Sequence, residues 1–190
     1  MDDPVPTLRA ALRRYFDENG FGPDGGYTAR WVKVKLGPLP IAFPNSAGRV
    51  RAVRYHDLHH LVTGYATSWV GEAEIGAWEV ASSCRGFIAA WVLNLLVMPV
   101  GATLDPGAVH RAFIRGRHTR NLYGGPYDDA LLDTSVEDVR SRLGLDQCGF
   151  AARPRDHLAF GIWCLVAAAL QGVMALALFG PVALAISFIR

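Results

Sequence analysis

Apolar residues recur every three or four positions at Leu8, Ala11, Leu12, Tyr15 and Phe16, which predicts a first helix capped by Thr7 and ended by Asn19 and Gly20. A glycine-rich turn follows over 21–26. Val32, Val34 and Leu36 then alternate with Lys33 and Lys35, the pattern of a short extended piece with its lysines in water. Pro38, Pro40 and Pro44 exclude a helix there. Helical spacing returns over 53–62 and stops at Gly64. It resumes over 69–84 behind Thr67 or Ser68 as cap, with Glu72, Ile75 and Glu79 along one side. Residues 87–99 are almost wholly apolar around Asn94. About thirteen residues cannot cross a bilayer that needs about twenty. This segment is therefore expected as a buried core helix, which can double as the wall of a lipid-tail pocket. Asp105 and Pro106 open the next helix with a cap and a proline at its first position. Residues 123–129 form a Gly-Pro turn. Thr134 and Glu137 have the spacing of a capping box for a short helix that faces Val136, Val139 and Leu143 inward and ends at Gly144.

The pattern changes after residue 157. Residues 158–189 form a run of thirty-two without one charge, in which Gln171 is the only strongly polar side chain. At about 1.5 Å per residue a continuous helix of that length exceeds the roughly 30 Å hydrocarbon core. The expectation is one span over about 158–179, a break at Gly180 and Pro181, and a short apolar end. The chain thus divides into a helical domain over 1–150, a linker over 151–157 and a hydrophobic membrane anchor over 158–189. The fold class is all-α, a single helical domain with a C-terminal transmembrane helix.

Composition narrows the function. Of 190 residues 51% are hydrophobic, and the net charge of +2 is too small to argue for nucleic acid. Arg111, Arg115, Arg117 and Arg120, with His110 and His118, make the densest basic cluster. Such a cluster reads as a solvated face, or as a partner for anionic lipid headgroups or a substrate carboxylate. Cys84, Cys148 and Cys164 are odd in number and far apart, which suits buried thiols in a reducing compartment rather than disulfides. Asp2, Asp3, Pro4 and Pro6 are the wrong opening for a signal peptide.

The candidate chemistry lies in His56-Asp57-Leu58-His59-His60 and in Glu72 beyond it. His56 and His60 are four apart, so on a helix they stack on one face, and Glu72 comes from the next helix. Two imidazoles and one or two carboxylates suit zinc, iron(II) or manganese. The residues alone also allow an ordinary pair of surface or core histidines. A protease of the His-Glu-x-x-His kind fits poorly, because Asp57 stands where the general base should be. A phosphohydrolase with a catalytic His-Asp pair lacks its upstream histidine. His59 stands off the ligand face and is expected to be supporting or structural. Glu79 and Glu74 are expected in solvent, Glu79 having a supporting role as its alternative.

The pattern His-Asp-x-x-His, eleven residues, Glu is met by His56, Asp57, His60 and Glu72. It resembles the signature of the coenzyme Q biosynthesis protein 4 family. Pro44 and Asn45 to Arg49, the run Tyr55 to Tyr65, the stretch Gly71 to Glu79 and the stretch Val139 to Leu145 are similar to that family as well, so the likeness covers roughly residues 5–150. The resemblance implies an all-helical, membrane-associated protein with one divalent metal, zinc or iron, on His56, Asp57, His60 and Glu72. It also implies removal of the carboxyl group from a polyprenylated ring and its replacement by hydroxyl, and the organisation of other quinone-biosynthesis enzymes. Asp57 and Glu72 are then the expected catalytic carboxylates. The uncharged tail departs from the family pattern and makes anchoring intrinsic. A leader of the kind organellar members carry is not seen, which points to a bacterial inner membrane. Arg153 and Arg155 before the span place the domain on the cytoplasmic side. Expected partners are a polyprenylated quinone precursor, membrane lipid, other quinone-biosynthesis enzymes and a second copy of the chain in a homodimer. The rival functions are a non-catalytic lipid-binding scaffold and a membrane metallohydrolase.

Overall fold

The first helix, α1 (Leu8–Asn19), starts where the Thr7 hydroxyl accepts from the Ala10 amide, and it stops at Gly20 in the left-handed conformation. This matches the sequence expectation at both ends. The computed structural model describes residues 5–36, 39–147 and 149–189, and within them the chain is mostly helical. The extended piece is a hairpin, β1 (Trp31–Leu36) antiparallel to β2 (Leu39–Pro44), with Val32 opposite Phe43. Pro40 and Pro44 thus sit in an edge strand, where a missing amide is tolerated. Pro38 and Cys148 lie outside the described residues.

Helix α2 (Ala47–Thr63) carries the histidines and starts six residues earlier than its periodicity predicts. Ser46 accepts from the Arg49 amide and caps it there, and Gly64 ends it. Two arginines cover its last carbonyls: Arg115 donates to Thr63 at 2.9 Å and Arg140 to Val62 at 2.5 Å. Positive charge at a helix C-terminus complements the negative end of the macrodipole. Much of the basic cluster is structural in the same way. Arg117 pairs with Asp156 at 3.3 Å, and Arg120 donates to the Arg142 carbonyl.

Helix α3 (Trp69–Ser82) is the centre of the packing. It is capped by Ser68 and ends two residues short of Cys84, where Ser83 and Arg85 take positive φ. One side of it, through Trp78, joins Leu8, Leu12, Phe16, Leu58, Val62 and Leu143 in one core cluster. The other side, through Ala73, Ala77 and Val80, packs on α4 (Ile88–Leu104) and α5 (Pro106–His118). Gly101 of α4 lies directly over Ala73, and a side chain there would collide with it. Helix α4 therefore runs on past Pro99, where it was expected to stop. A proline removes one backbone hydrogen bond but keeps a helical φ, and close packing on α3 holds the rest.

A 3₁₀ turn (Leu122–Gly124) leads to α6 (Asp129–Leu132) and α7 (Val136–Leu143). The cap of α7 is Ser135 with Asp138, one residue later than the expected Thr134 and Glu137. The Thr134 hydroxyl instead closes α6 on Ala130, and its carbonyl takes the Leu8 amide.

The last helix, α8 (Pro154–Ile189), begins inside the expected linker. Asp156 is buried there by Arg117, His118 and the Arg153 amide, so the junction is docked on α5 rather than free. The backbone stays helical through Gly180 and Pro181, where a break was expected. The segment Pro154–Ala177 is the one candidate among the described residues that is long and apolar enough to cross a membrane.

Candidate metal centre

The centre is built from two helices that meet head to flank. His56 and His60 stand one turn apart on α2, and Glu72 stands in the first turn of α3, where the helix dipole favours a carboxylate. Nε2 of His56 is 3.2 Å from Nε2 of His60 and 3.3 Å from Oε2 of Glu72, and Nε2 of His60 is 3.4 Å from Oε1 of Glu72. A tetrahedral ion bound at about 2.0–2.1 Å separates its ligand atoms by about 3.3–3.4 Å. The two imidazole nitrogens are near that spacing, one Glu72 oxygen faces each of them, and one ligand atom from each of the three residues lies within 4.8 Å of the others, a group able to hold one divalent cation.

Each imidazole is turned by its other nitrogen. Nδ1 of His60 donates to the Tyr65 carbonyl at 2.9 Å, which leaves the Nε2 lone pair facing inward. The His60 ring also stacks on Tyr15 with centroids 5.6 Å apart. Nδ1 of His56 donates to Oε1 of Glu79 at 3.0 Å. A carbonyl behind one ligand and a carboxylate behind the other is the arrangement that fixes the tautomer of metal-binding histidines.

Glu79 was expected in solvent, and this is the main correction to the site. It is fully buried. Its Oε1 accepts from His56 and, at 2.7 Å, from Nδ1 of His59, and its Oε2 accepts from Asn94 at 2.5 Å and the Tyr123 hydroxyl at 2.7 Å. Four donors on one carboxylate satisfy a buried charge that would otherwise be costly. Burial works against the charge, but His56 and His59 outweigh it and hold the Glu79 carboxyl well below its ordinary range. His59 is the supporting histidine expected. Its Nε2 accepts from the Leu122 amide at 3.0 Å, so the ring is neutral, and burial lowers its pKa. Glu74 is half-buried rather than exposed.

Asp57, expected among the ligands, is outside the group at ligand spacing. Its Oδ2 accepts from the Tyr27 hydroxyl at 2.5 Å, and its side chain stands on the flank of α2 between Tyr27 and the cleft. Burial raises its pKa against the effect of the Tyr27 hydrogen bond. Burial also disfavours charge on Glu72 and on His56. Mutual contact reverses both: Glu72 is held low by His56 and His60, and His56 is raised by Glu79 and Glu72.

The group opens into a cleft of about 770 Å³, walled by Tyr15, Trp31, Phe43, Trp69, Leu93 and Val97. That size suits a small-molecule ligand. Three ligands with a cleft beside them leave room for further coordination by water or substrate, as in catalytic rather than structural zinc sites. The hairpin supplies part of the wall, and the Arg49 side chain reaches the same space, held by Asn45 at 2.8 Å. Sequence reasoning placed the two histidines and Glu72 together and missed Tyr27, Asn94 and Tyr123. Asn94 did carry a signal, as the one amide in an uncharged helix.

No family model, no curated protein and no solved structure matches this chain.

Proposed function

We propose that the chain is a membrane-anchored metalloprotein of ubiquinone biosynthesis that removes the carboxyl group from a polyprenylated benzoate ring and puts a hydroxyl in its place. The observation that carries the reading is the His56, His60 and Glu72 group at ligand spacing on the floor of a largely apolar cleft. Two histidines and one carboxylate with open positions suit iron(II) and oxygen chemistry. The likeness of residues 44–79 to the coenzyme Q biosynthesis protein 4 signature supports the substrate class. The bound metal would supply the electron sink and the oxygen activation that the reaction needs.

The chain's own residues have separable roles. His56, His60 and Glu72 hold the ion, and Glu79 and the Tyr65 carbonyl aim the imidazoles. Asp57, its pKa raised by burial at the cleft wall, is the carboxyl group suited to exchange a proton with a bound ring. The apolar walls exclude water and take the proximal part of a prenyl tail. The domain lies on the cytoplasmic face of a bacterial inner membrane, in the sense set by Arg153 and Arg155 ahead of the uncharged run 158–189.

The test is genetic and chemical. Cells lacking the protein should accumulate a prenylated ring that keeps its carboxyl group, read by mass spectrometry of lipid extracts. The full chain should clear it, and the Glu72→Ala chain should not. A reporter fused after Arg190 should lie outside the cytoplasm. Complementation by Glu72→Ala at the wild-type level, or no change in any quinone precursor, would overturn the assignment of reaction and site.

A further inference from the structure

Helix α4 has no charged residue from Ile88 to Leu104, yet it is not enclosed. Two of its sides are accounted for. Ala90, Leu93, Asn94 and Val97 line the metal cleft. Leu95 and Met98 pack into the cluster with α3, α5 and α8. At about 100° per residue, positions 88, 92, 96, 99 and 103 fall together on a third side. There Ile88 is 78% exposed and Val92 38%, and Leu96 and Pro99 are half-exposed. A helix face turned to water normally carries charge, and this one has only Thr103 as a polar group.

The same face is continuous with α8. Trp91 stacks on Trp163 with centroids 5.0 Å apart. The Gln171 amide donates to the Leu96 carbonyl at 2.9 Å, so the one strongly polar side chain of the tail has a partner on α4. Ala167, between these two contacts, is fully buried. All three positions fall in the middle of the apolar segment Pro154–Ala177, whose outward side exposes Leu158, Ile162, Leu165 and Val173. Hydrocarbon that covers Trp163 and Gln171 from outside therefore also reaches the α4 residues that pack on them. An apolar surface of this extent on two adjoining helices marks a membrane contact rather than a water-facing surface.

We propose that the outer side of α4 lies in the hydrocarbon of the bilayer beside α8, which makes α4 the partition between membrane lipid and the metal cleft. The proposal rests on the reading of α8 as a membrane helix and is independent of the metal. It has a consequence for substrate entry. A lipid tail lying in the bilayer is separated from Leu93 and Val97 of the cleft by one helix thickness, with no charged side chain on the helix to pass.

The test uses the full chain in dioleoylphosphatidylcholine vesicles with a photoreactive benzophenone amino acid placed singly at Val92, at Leu165 of α8 or at Glu18, which is exposed on α1. Mass spectrometry identifies what each position captures after illumination. The expected result is phospholipid on the Val92 and Leu165 variants and none on the Glu18 variant. Capture of lipid at Leu165 alone, or of a second protein chain at Val92, overturns the proposal while leaving α8 in the membrane. Capture at none of the three, or at all three alike, overturns it together with the membrane reading of α8.

Discussion

Replacing His60 by alanine is expected to lower metal affinity by at least about a hundredfold while the helical fold survives. Ligand removal costs more than the ten- to hundredfold typical of a lost supporting contact. His60 contributes one of three ligand atoms that lie within 4.8 Å of one another, so its loss leaves two ligands that cannot enclose an ion. The structural cost is smaller. The side chain stacks on Tyr15 and donates one hydrogen bond to Tyr65, worth about 1–2 kcal/mol together. The core clusters around Trp78 and Phe113 do not include it. Asp57→Asn is the paired control, because Asp57 stands outside the ligand group and its replacement should retain most of the metal. Elemental analysis and circular dichroism on both variants would show this. Full metal content in His60→Ala, or loss only in Asp57→Asn, would move the site to Asp57.

Glu79→Ala is expected to be the most destabilising single change near the site, at about 3–5 kcal/mol. It removes a buried charge and leaves the donors of His56, His59, Asn94 and Tyr123 facing a void. Against a total stability of about 5–15 kcal/mol this is a large share. The pH dependence follows from the sign of the shift. The Glu79 carboxyl is depressed in the folded state, so its contribution is fully present above its ordinary value of 4.5 and is lost as the pH falls through the lower, folded value. Urea denaturation of the protein in detergent should show a lower midpoint for Glu79→Ala at neutral pH and a narrower gap from wild type in acid. Glu79→Gln, which keeps the shape, should fall between the two. An alanine variant with the wild-type midpoint at neutral pH would show that the network is not a structural keystone.

The helices were legible because their caps and periods agree. Thr7, Ser68, Asp105, Gly20 and Gly64 each stand where the structure uses them. The i, i+4 spacing of His56 and His60 likewise carries directly into space. Glu79 was misjudged for a physical reason. One face of α3 looks amphipathic from Glu72 to Glu79, but α4 and the turn at Tyr123 close over that face, and those contacts are non-local. The better clue was composition: Glu79 is the one charge in the run from Ile75 to Ala81. Helix α4 was misjudged in the opposite direction. An apolar segment too short to span reads as core, and only its packing on α8 reveals a side left open. The continuous course of α8 through Pro181 shows the limit of proline as a stop signal, since its ring fits a helical φ.

Calorimetric titration of the metal-stripped full chain with zinc shows whether His56, His60 and Glu72 hold one divalent metal ion. In the metal-free protein burial opposes charge on His56, but Glu79 and Glu72 raise its pKa well above 6.5, so binding must displace a proton from Nε2. One zinc per chain is expected, bound tighter at pH 8 than at pH 6, with about one proton released per ion when buffers of different ionisation enthalpy are compared. Absence of binding, or binding that is indifferent both to pH and to His60→Ala, would contradict it.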